Sequence, residues 1–286
     1  MKYAIEITSY ETSEGFWRPG IPEEIFSNWI PLLEIENTGF IVYHNLRVHF
    51  LDLTGKWIWE EPIICAGVPN RVVISGNRLI VTTRLEKYDR VLGYMGRVHL
   101  INLEKGILIK KLQGERMEAL TDGRFVLGLG GYNLFDTWMY DGDGNLLQNW
   151  RSCGNYLVDG EEILVIENDF MQPTKSQLVK LLPNGEVIRG EHLKTYWSSE
   201  PLRLVDKDFV YENFGELKIA NTNLEQVQSE RFLAYEDRDS WKYLSNLRKE
   251  GKDFVLRIIE RTGDDPLTYT THHWTLKINK NGSDHR

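Results

Sequence analysis

Short apolar runs alternate with polar, turn-forming residues along the whole chain. A turn precedes an apolar run at six places, anchored at positions 39, 76, 123, 160, 207 and 251. Apolar runs of this length, bounded by Gly, Asp, Asn and Ser, predict β-strands. A pattern that returns every 37 to 47 residues is typical of a repeat architecture. We therefore expect an all-β protein built from repeated units.

A second pattern lies between these anchors and predicts a hairpin in each unit. It is a strand, a polar turn and another strand, and it occurs as FLDLTGKWIW (50–59), LINLEKGILI (100–109), MYDGDGNLLQ (139–148), KLLPNGEVIR (180–189), a degenerate IANTNLEQVQ (219–228) and KINKNG (277–282). Gly in such turns adopts positive φ without steric cost. Each unit then has four strands. The continuous apolar second strand predicts burial on both faces, and the alternating third and fourth strands predict half-burial.

Six four-stranded units predict a single β-propeller domain over residues 1–286, with six blades, or seven as the alternative. The last unit lacks a fourth strand, and near the N-terminus Tyr3, Ile5 and Ile7 alternate with Ala4, Glu6 and Thr8. We therefore expect the N-terminal strand to close the last blade. Two segments have features of helices instead: residues 240–250, with apolar residues at helical spacing, and the segment that begins at Pro22.

The hairpins also carry a family resemblance. The segments DLTGKWIW and INLEKGILI resemble the outer hairpins of quinoprotein-like and WD-repeat propellers. The third unit, GLGGYNLFDTWMYDGDGNLLQNW, is similar to a kelch repeat, with Gly130, Gly131, Trp138 and Trp150 in the matching places. Propellers of these families bind many unrelated molecules, so the resemblance implies a fold and leaves the function open.

The charge and the cysteine content indicate a compartment and exclude some partners. The formal net charge is −8, from 34 basic and 42 acidic residues, so no basic excess is present to bind a nucleic-acid backbone. No apolar run is long enough to span a membrane, and residues 1–10 lack the apolar core of a signal peptide. Two cysteines in 286 residues are typical of a reducing compartment. We therefore expect a cytoplasmic monomer that binds neither nucleic acid nor membrane.

Loop lengths differ between the two ends of the predicted strands. The loops after the first and third strands of each unit are short, whereas those after the second and fourth are longer, which favours the long-loop face as the binding surface. These longer loops are residues 83–97, 130–137, 167–176, 191–200, 232–239 and 261–271. Aromatic residues beside Arg and Asp in them have the composition of interface hot spots. The candidate partner-binding residues are Tyr88, Arg90, Tyr94, Tyr132, Phe135, Asp169, Phe170, Trp197, Tyr235 and Tyr269.

Other conspicuous residues favour structural roles. Residues 141–145 resemble the start of a calcium loop but occupy the hairpin position of their repeat, so we expect a turn. His272 and His273 are adjacent on a predicted strand and should point to opposite faces, which disfavours a shared metal ion. His49 and His99 hold matching places in the first two repeats, which indicates structural positions.

The motif search favours binding over catalysis. We find no nucleophile elbow, phosphate-binding loop or Cys-x-x-Cys pair in the sequence, and we predict neither a cofactor nor a metal site. The expected function is a non-catalytic module that binds a protein partner through the long-loop face. The alternative is a propeller hydrolase or lyase with an active site at the channel mouth, which a metal could assist. Its candidate ligands or acid–base groups are Glu167, Asp169 and His272.

Overall fold

The structure, a computed structural model, describes residues 2–16, 29–90, 93–120, 122–131, 134–167, 177–193, 201–204, 207–213, 216–232, 243–261 and 268–281. None of these residues lies in an α-helix. They form six antiparallel sheets of four main strands each. The first sheet contains β2 (Ile30–Ile35), β3 (Gly39–His44), β4 (Arg47–Asp52) and β5 (Ile63–Ile64). The second contains β6 (Val68–Ser75), β7 (Arg78–Asp89), β9 (Arg97–Asn102) and β10 (Ile107–Gln113), and β8 (Gly93–Met95) pairs with β7 beside it.

The remaining four sheets repeat the same up-and-down order. The third contains β11 (Arg116–Ala119), β12 (Phe125–Gly131), β13 (Leu134–Tyr140) and β14 (Leu146–Trp150). The fourth contains β15 (Gly154–Asp159), β16 (Glu162–Glu167), β17 (Gln177–Leu181) and β18 (Val187–His192). The fifth contains β19 (Leu202–Arg203), β20 (Phe209–Asn213), β21 (Glu216–Ala220) and β22 (Gln226–Arg231). The sixth contains β23 (Tyr243–Glu250), β24 (Asp253–Arg261), β25 (Thr268–Lys280) and β1 (Tyr3–Phe16).

This architecture confirms the all-β class and the six four-stranded blades. The N-terminal strand completes the last blade as predicted, because β1 pairs with β25 from Tyr3 opposite Lys280 onwards. The helical interpretation of residues 240–250 is wrong over the described part, since 243–250 form β23 and pair with β24. Long-range strand pairing there outweighs the local helical spacing. The segment that begins at Pro22 lies outside the described residues.

The chain divides into two compact units. We call Gly20–Arg151 with Val158–Gly160 the 20–151 unit, and it holds the first three sheets. We call Met1–Pro19, Ser152–Leu157 and Glu161–Arg286 the terminal unit. Within each unit the apolar faces of consecutive sheets pack together. Ile41 and Leu79 share a core between the first two sheets, and Val210 and Leu256 share one between the last two.

Burial decreases from the inner strands of each sheet to the outer strand. Ile163 to Ile166 are buried without interruption in β16, as predicted for second strands. The third strands β4 and β9 also have four consecutive buried residues, so their predicted half-burial is wrong. The reason is that His49 and His99 are covered on the face expected to be open, with 4% and 0% exposure. The fourth strands β10, β14 and β18 are mostly exposed or half-buried.

A polar side chain fixes the hairpin between the third and fourth strands of several blades. Asp52, Asp141 and Asn221 each accept hydrogen bonds on Oδ1 from the backbone N–H groups two and four residues later, at 2.8–3.0 Å. This local bonding is the reason that Asx residues favour turns. The prediction of a turn at 141–145 is confirmed, because the Asp141 carboxylate is occupied by the turn itself.

The degenerate fifth repeat places a leucine where the other turns have glycine. Gly55 and Gly144 have φ of 82° and 76° at this position, and Leu224 has φ of 66°. A β-carbon in this region costs about 1–2 kcal/mol. Leu224 is nevertheless 4% exposed and belongs to the core between the fourth and fifth sheets. Gly190 makes room for it, since a Cβ at position 190 would lie 2.6 Å from the Cβ of Leu224.

We expect Leu224→Gly to destabilise the protein no more than Leu224→Ala. Both remove a buried side chain, a loss of roughly 3 kcal/mol, but glycine also relieves the backbone strain. The matched control is Leu217, buried in the regular strand β21, where glycine should cost about 1 kcal/mol more than alanine. Denaturant unfolding of the four variants measures both differences. An equal penalty for glycine at the two positions would contradict the proposed strain.

Candidate interaction surface

The connection between β7 and β9 is a paired hairpin instead of an open loop. β7 continues to Asp89, and β8 pairs back with it at Arg84↔Met95 and Asp89↔Gly93. We call residues 84–95 the β7–β8 arm. Residues 86–90 of the arm are exposed, and Tyr88 is 60% exposed. The arm therefore presents an aromatic ring to solvent from a strand whose backbone is already paired.

The base of the β7–β8 arm is buried and hydrogen-bonded. The Gly96 N–H donates to the carbonyl of Thr83 at 2.8 Å, and the Thr83 hydroxyl donates to the carbonyl of Arg97 at 2.8 Å. Thr83 is 3% exposed. A Cβ at Gly96 would lie 2.1 Å from the Thr83 hydroxyl oxygen. The close approach of the two strands at the base of the arm therefore requires glycine at position 96. These contacts fix the direction in which the arm leaves the second blade.

The structure brings three of the predicted partner-binding residues together on the β7–β8 arm. Tyr88 and Arg90 are exposed there, and Tyr94 lies in β8. Phe135 lies in β13, and Tyr269 lies half-buried in β25 of the terminal unit. The predicted residues outside the described part of the chain are Tyr132, Asp169, Phe170, Trp197 and Tyr235.

The expectation of a long loop at 130–137 is wrong. β12 extends to Gly131 and β13 begins at Leu134, and these two residues pair directly. The described residues of the predicted loop, 130–131 and 134–137, therefore all lie in strands. The physical reason is that the backbone ladder continues past the apolar run, and the adjacent glycines do not interrupt it. Phe135 is consequently a strand residue.

The acid–base groups of the enzyme alternative have separate partners. The Glu167 carboxylate accepts from the Ser152 hydroxyl at 3.3 Å and pairs with Arg189 at 3.6 Å. His272 instead bonds to Glu260 and to Tyr10. Asp169 lies outside the described residues. Among the residues that the structure describes, no group of three or more His, Cys, Asp or Glu side chains is placed to hold a metal ion.

A group of aromatic side chains lies on β1 and β25 of the sixth blade and is extended by Phe232, which follows β22 of the fifth, and the sequence pattern did not reveal it. The rings of Tyr10 and Trp274 are 5.0 Å apart at 22°, and those of His272 and Trp274 are 5.6 Å apart at 14°. Phe232 meets Trp274 edge-on at 5.7 Å. We call these four residues the Tyr10 stack. It depends on the register that sets Tyr10 opposite Trp274, which no local motif indicates.

A second aromatic group covers His49 in the first blade. The His49 ring lies 4.1 Å from Trp57 and 5.9 Å from Trp29. Its Nδ1 accepts the backbone N–H of Phe50 at 2.9 Å, and burial lowers the pKa of the imidazole. Trp57 itself is 51% exposed. The predicted structural role of His49 is confirmed.

His99 has the matching structural role in the second blade. It is fully buried, and its Nε2 accepts the backbone N–H of Ala66 at 3.1 Å. Burial, reinforced by the positive charge of Lys111, lowers the pKa of His99 to about 4. A neutral imidazole is therefore the native form, which agrees with the predicted structural position.

Comparisons with known proteins agree with this architecture. No protein-family model and no curated protein matches the chain. The WD40 domain of Pan2 from Neurospora crassa matches with a TM-score of 0.52 and 11% identity, over 85% of this chain and 73% of that one. An extracellular domain assigned to a hybrid two-component system of B. thetaiotaomicron matches with a TM-score of 0.54 and 10% identity, over 95% of this chain and 43% of that one.

The fold is a β-propeller. At such low identity the likeness shows the fold alone. The propeller part of the predicted resemblance is thereby confirmed, including its likeness to a WD40 domain. The quinoprotein-like and kelch-like features stay predictions, as does the single domain over 1–286. In the described part of the propeller, no helix is long and apolar enough to cross a membrane.

Proposed function

We propose that this propeller is a non-catalytic binding module and that its β7–β8 arm contacts a protein partner. The observation that carries the proposal is Tyr88, which is 60% exposed on a strand fixed at its base by Thr83 and Gly96. Tyrosine and arginine dominate interface hot spots, and Arg90 is exposed two residues further along. A paired hairpin also loses less conformational entropy on binding than an open loop does.

The charge of the β7–β8 arm supports a protein as the partner. Its described part carries Arg84, Glu86, Lys87, Asp89 and Arg90, so both signs are interspersed. A surface that binds nucleic acid is instead predominantly basic. Likeness to a WD40 domain is compatible with a binding module of this kind. The propeller need not unfold or rearrange for the arm to engage a partner.

We propose that the protein resides in the cytoplasm, and the state of its two cysteine thiols supports this proposal. Cys65 and Cys153 are both buried thiols, and the Cys153 sulfur accepts a hydrogen bond from the Tyr156 hydroxyl at 3.5 Å. Burial raises the pKa of the Cys65 thiol to about 12, so the reactive thiolate is disfavoured. Two buried thiols are compatible with a reducing environment. Fractionation of native cells checks this assignment.

We expect the double substitution Tyr88→Ala with Arg90→Ala to weaken partner binding at least thirtyfold, as for hot-spot residues. The partner is first captured by a photo-crosslinking amino acid at position 88 and identified by mass spectrometry. Its affinity for each purified variant is then measured by calorimetry.

Two controls make the result specific to Tyr88 and Arg90. Lys87→Ala, on the same exposed segment, should change the affinity less than threefold. A crosslinker at Leu146, 56% exposed in the third blade, should capture nothing in common with position 88. Equal affinity of the double variant and the wild type would refute the assignment of the arm.

A further inference from the structure

Tyr10, His272 and Glu260 form a continuous hydrogen-bonded chain within the terminal unit. The Tyr10 hydroxyl lies 3.0 Å from Nδ1 of His272, and Nε2 of His272 lies 2.9 Å from Oε2 of Glu260. The strand register brings them together, since His272 faces Ile258 on β24 and Thr12 on β1. An acid, an imidazole and a hydroxyl linked in this order are the elements of an activated nucleophile.

The bonding of the imidazole determines which nitrogen carries its hydrogen. An ionised Glu260 carboxylate can only accept, so the hydrogen of a neutral His272 lies on Nε2. Nδ1 then has a free lone pair directed at the Tyr10 hydroxyl, which donates to it. We assign this tautomer from the hydrogen-bond network. In this state His272 can take the phenolic proton, and Glu260 can stabilise the resulting imidazolium.

The Tyr10 stack holds the reacting groups while leaving the phenol open to solvent. Trp274 is 5% exposed, and it lies stacked beside both the Tyr10 and the His272 rings. The His272 side chain is 12% exposed, whereas Tyr10 is 51% exposed. The base is thus shielded from water and its hydroxyl partner is accessible. Tyr10 is therefore the more exposed member of the hydrogen-bonded pair.

We propose that Tyr10 is a nucleophile that accepts an acyl group from activated esters, with His272 as general base and Glu260 as a positioning residue. The phenolic oxygen attacks the ester carbonyl while its proton passes to Nδ1 of His272. The tetrahedral intermediate then breaks its bond to the leaving oxygen, which takes that proton from His272. The products are an ester on Tyr10 and a free alcohol or phenol, and no oxidant or reductant is needed.

The charges around Tyr10 favour an acyl donor over a phosphoryl donor. Glu260 lies behind the imidazole, with Oε2 at 2.9 Å from Nε2 of His272. Its carboxylate repels an anionic phosphate, whereas a neutral ester meets no such repulsion. Neutral activated esters are therefore the substrate class that this surface fits.

The test is acetylation of the full chain with p-nitrophenyl acetate, followed by peptide mass spectrometry. Tyr88, which is 60% exposed, is the internal reference in the same molecule. We expect Tyr10 to be acetylated at least tenfold faster than Tyr88, with release of one p-nitrophenol per acetyl group. The ratio of the Tyr10 acetylation rate to the Tyr88 rate should fall in acid, because a protonated His272 cannot act as a base.

Matched histidine variants separate a basic role from a structural one. His272→Gln can still accept a hydrogen bond from Tyr10 but cannot take its proton, and it should lower the Tyr10 rate at least tenfold. His273→Gln, one residue along β25 and on the opposite face, should leave that rate unchanged. Glu260→Gln should lower it several-fold, and Tyr10→Phe should remove only that acetylation site.

The outcome is decisive even if one variant folds poorly. Circular dichroism and melting temperature check each variant, and the pH profile of the wild type needs no substitution. Equal rates at Tyr10 and Tyr88 in the wild type would overturn the proposal. So would a folded His272→Gln variant that matches His273→Gln. Each variant leaves the residues of the β7–β8 arm unchanged, so failure of this proposal is distinguishable from failure of partner binding at the arm.

Discussion

Replacing Asp208 by alanine should lower the free energy of unfolding of the terminal unit by about 3 kcal/mol. The Asp208 side chain is 4% exposed, and its Oδ2 accepts from Lys2 Nζ at 2.5 Å and from the Tyr3 hydroxyl at 2.6 Å. Burial, together with this carboxylate, raises the pKa of Tyr3, so its phenol remains a donor at neutral pH. Alanine would leave that buried hydroxyl without its acceptor.

Asp208 matters because it holds the strand that completes the last blade. Tyr3 is 1% exposed, and its backbone is paired a second time by a side chain of the fifth sheet. The N–H of Tyr3 donates to Oε1 of Gln228, and Nε2 of Gln228 donates to the carbonyl of Tyr3, both at 3.0 Å. The amide of Gln228 thus reproduces the two bonds of a neighbouring strand. β1 is therefore paired with β25 along one edge, and its first residue, Tyr3, is also hydrogen-bonded to the fifth sheet.

Two measurements and one control test whether Asp208 holds the beginning of β1 in place. Denaturant unfolding gives the change in free energy, and hydrogen exchange should show faster exchange of the β1 amides in Asp208→Ala. The control is Glu250→Ala, which removes an ion pair whose side chains are 56% and 52% exposed in the same unit. Its expected cost is below about 1 kcal/mol. Similar costs for the two variants would contradict a structural role for Asp208.

The sequence predicted the blades because each one is built from local signals. Polar turns such as the one at Asp52 and apolar runs such as the one ending at Ile166 are contiguous in the chain. The placement of β1 also followed from the sequence, since the last unit lacked a strand and Tyr3, Ile5 and Ile7 alternate. These inferences need only strand periodicity and a count of strands.

The features that the sequence did not predict depend on strand register. The β7–β8 arm continues a strand through residues 84–89, where polarity suggested a loop, because its pairing is between backbones. The bonded chain of Tyr10, His272 and Glu260 joins the consecutive strands β24 and β25 to β1 at the other end of the sequence. Side-chain periodicity specifies which face a residue occupies, but it does not specify its neighbour on the next strand.

Stability should decrease as the pH falls from about 6.5 to about 4, and His99 should be the main cause. Its pKa is ordinary in the unfolded chain and about 4 in the folded one, so the unfolded state binds more protons between these values. The stabilisation is complete above the unfolded pKa and is lost as the pH falls toward the folded pKa. A shift of this size corresponds to roughly 3 kcal/mol. His49 adds to the same decrease of stability with falling pH, because burial lowers the pKa of its imidazole as well.

His99→Gln separates this titration from the structural role of the imidazole. Glutamine Oε1 can replace Nε2 as the acceptor for the Ala66 N–H but does not titrate, so the variant should be less stable at neutral pH and much less sensitive to acid. Denaturant unfolding at several pH values measures both. An unchanged acid slope in His99→Gln would show that the main titrating group is elsewhere, because only the His99 imidazole has been removed.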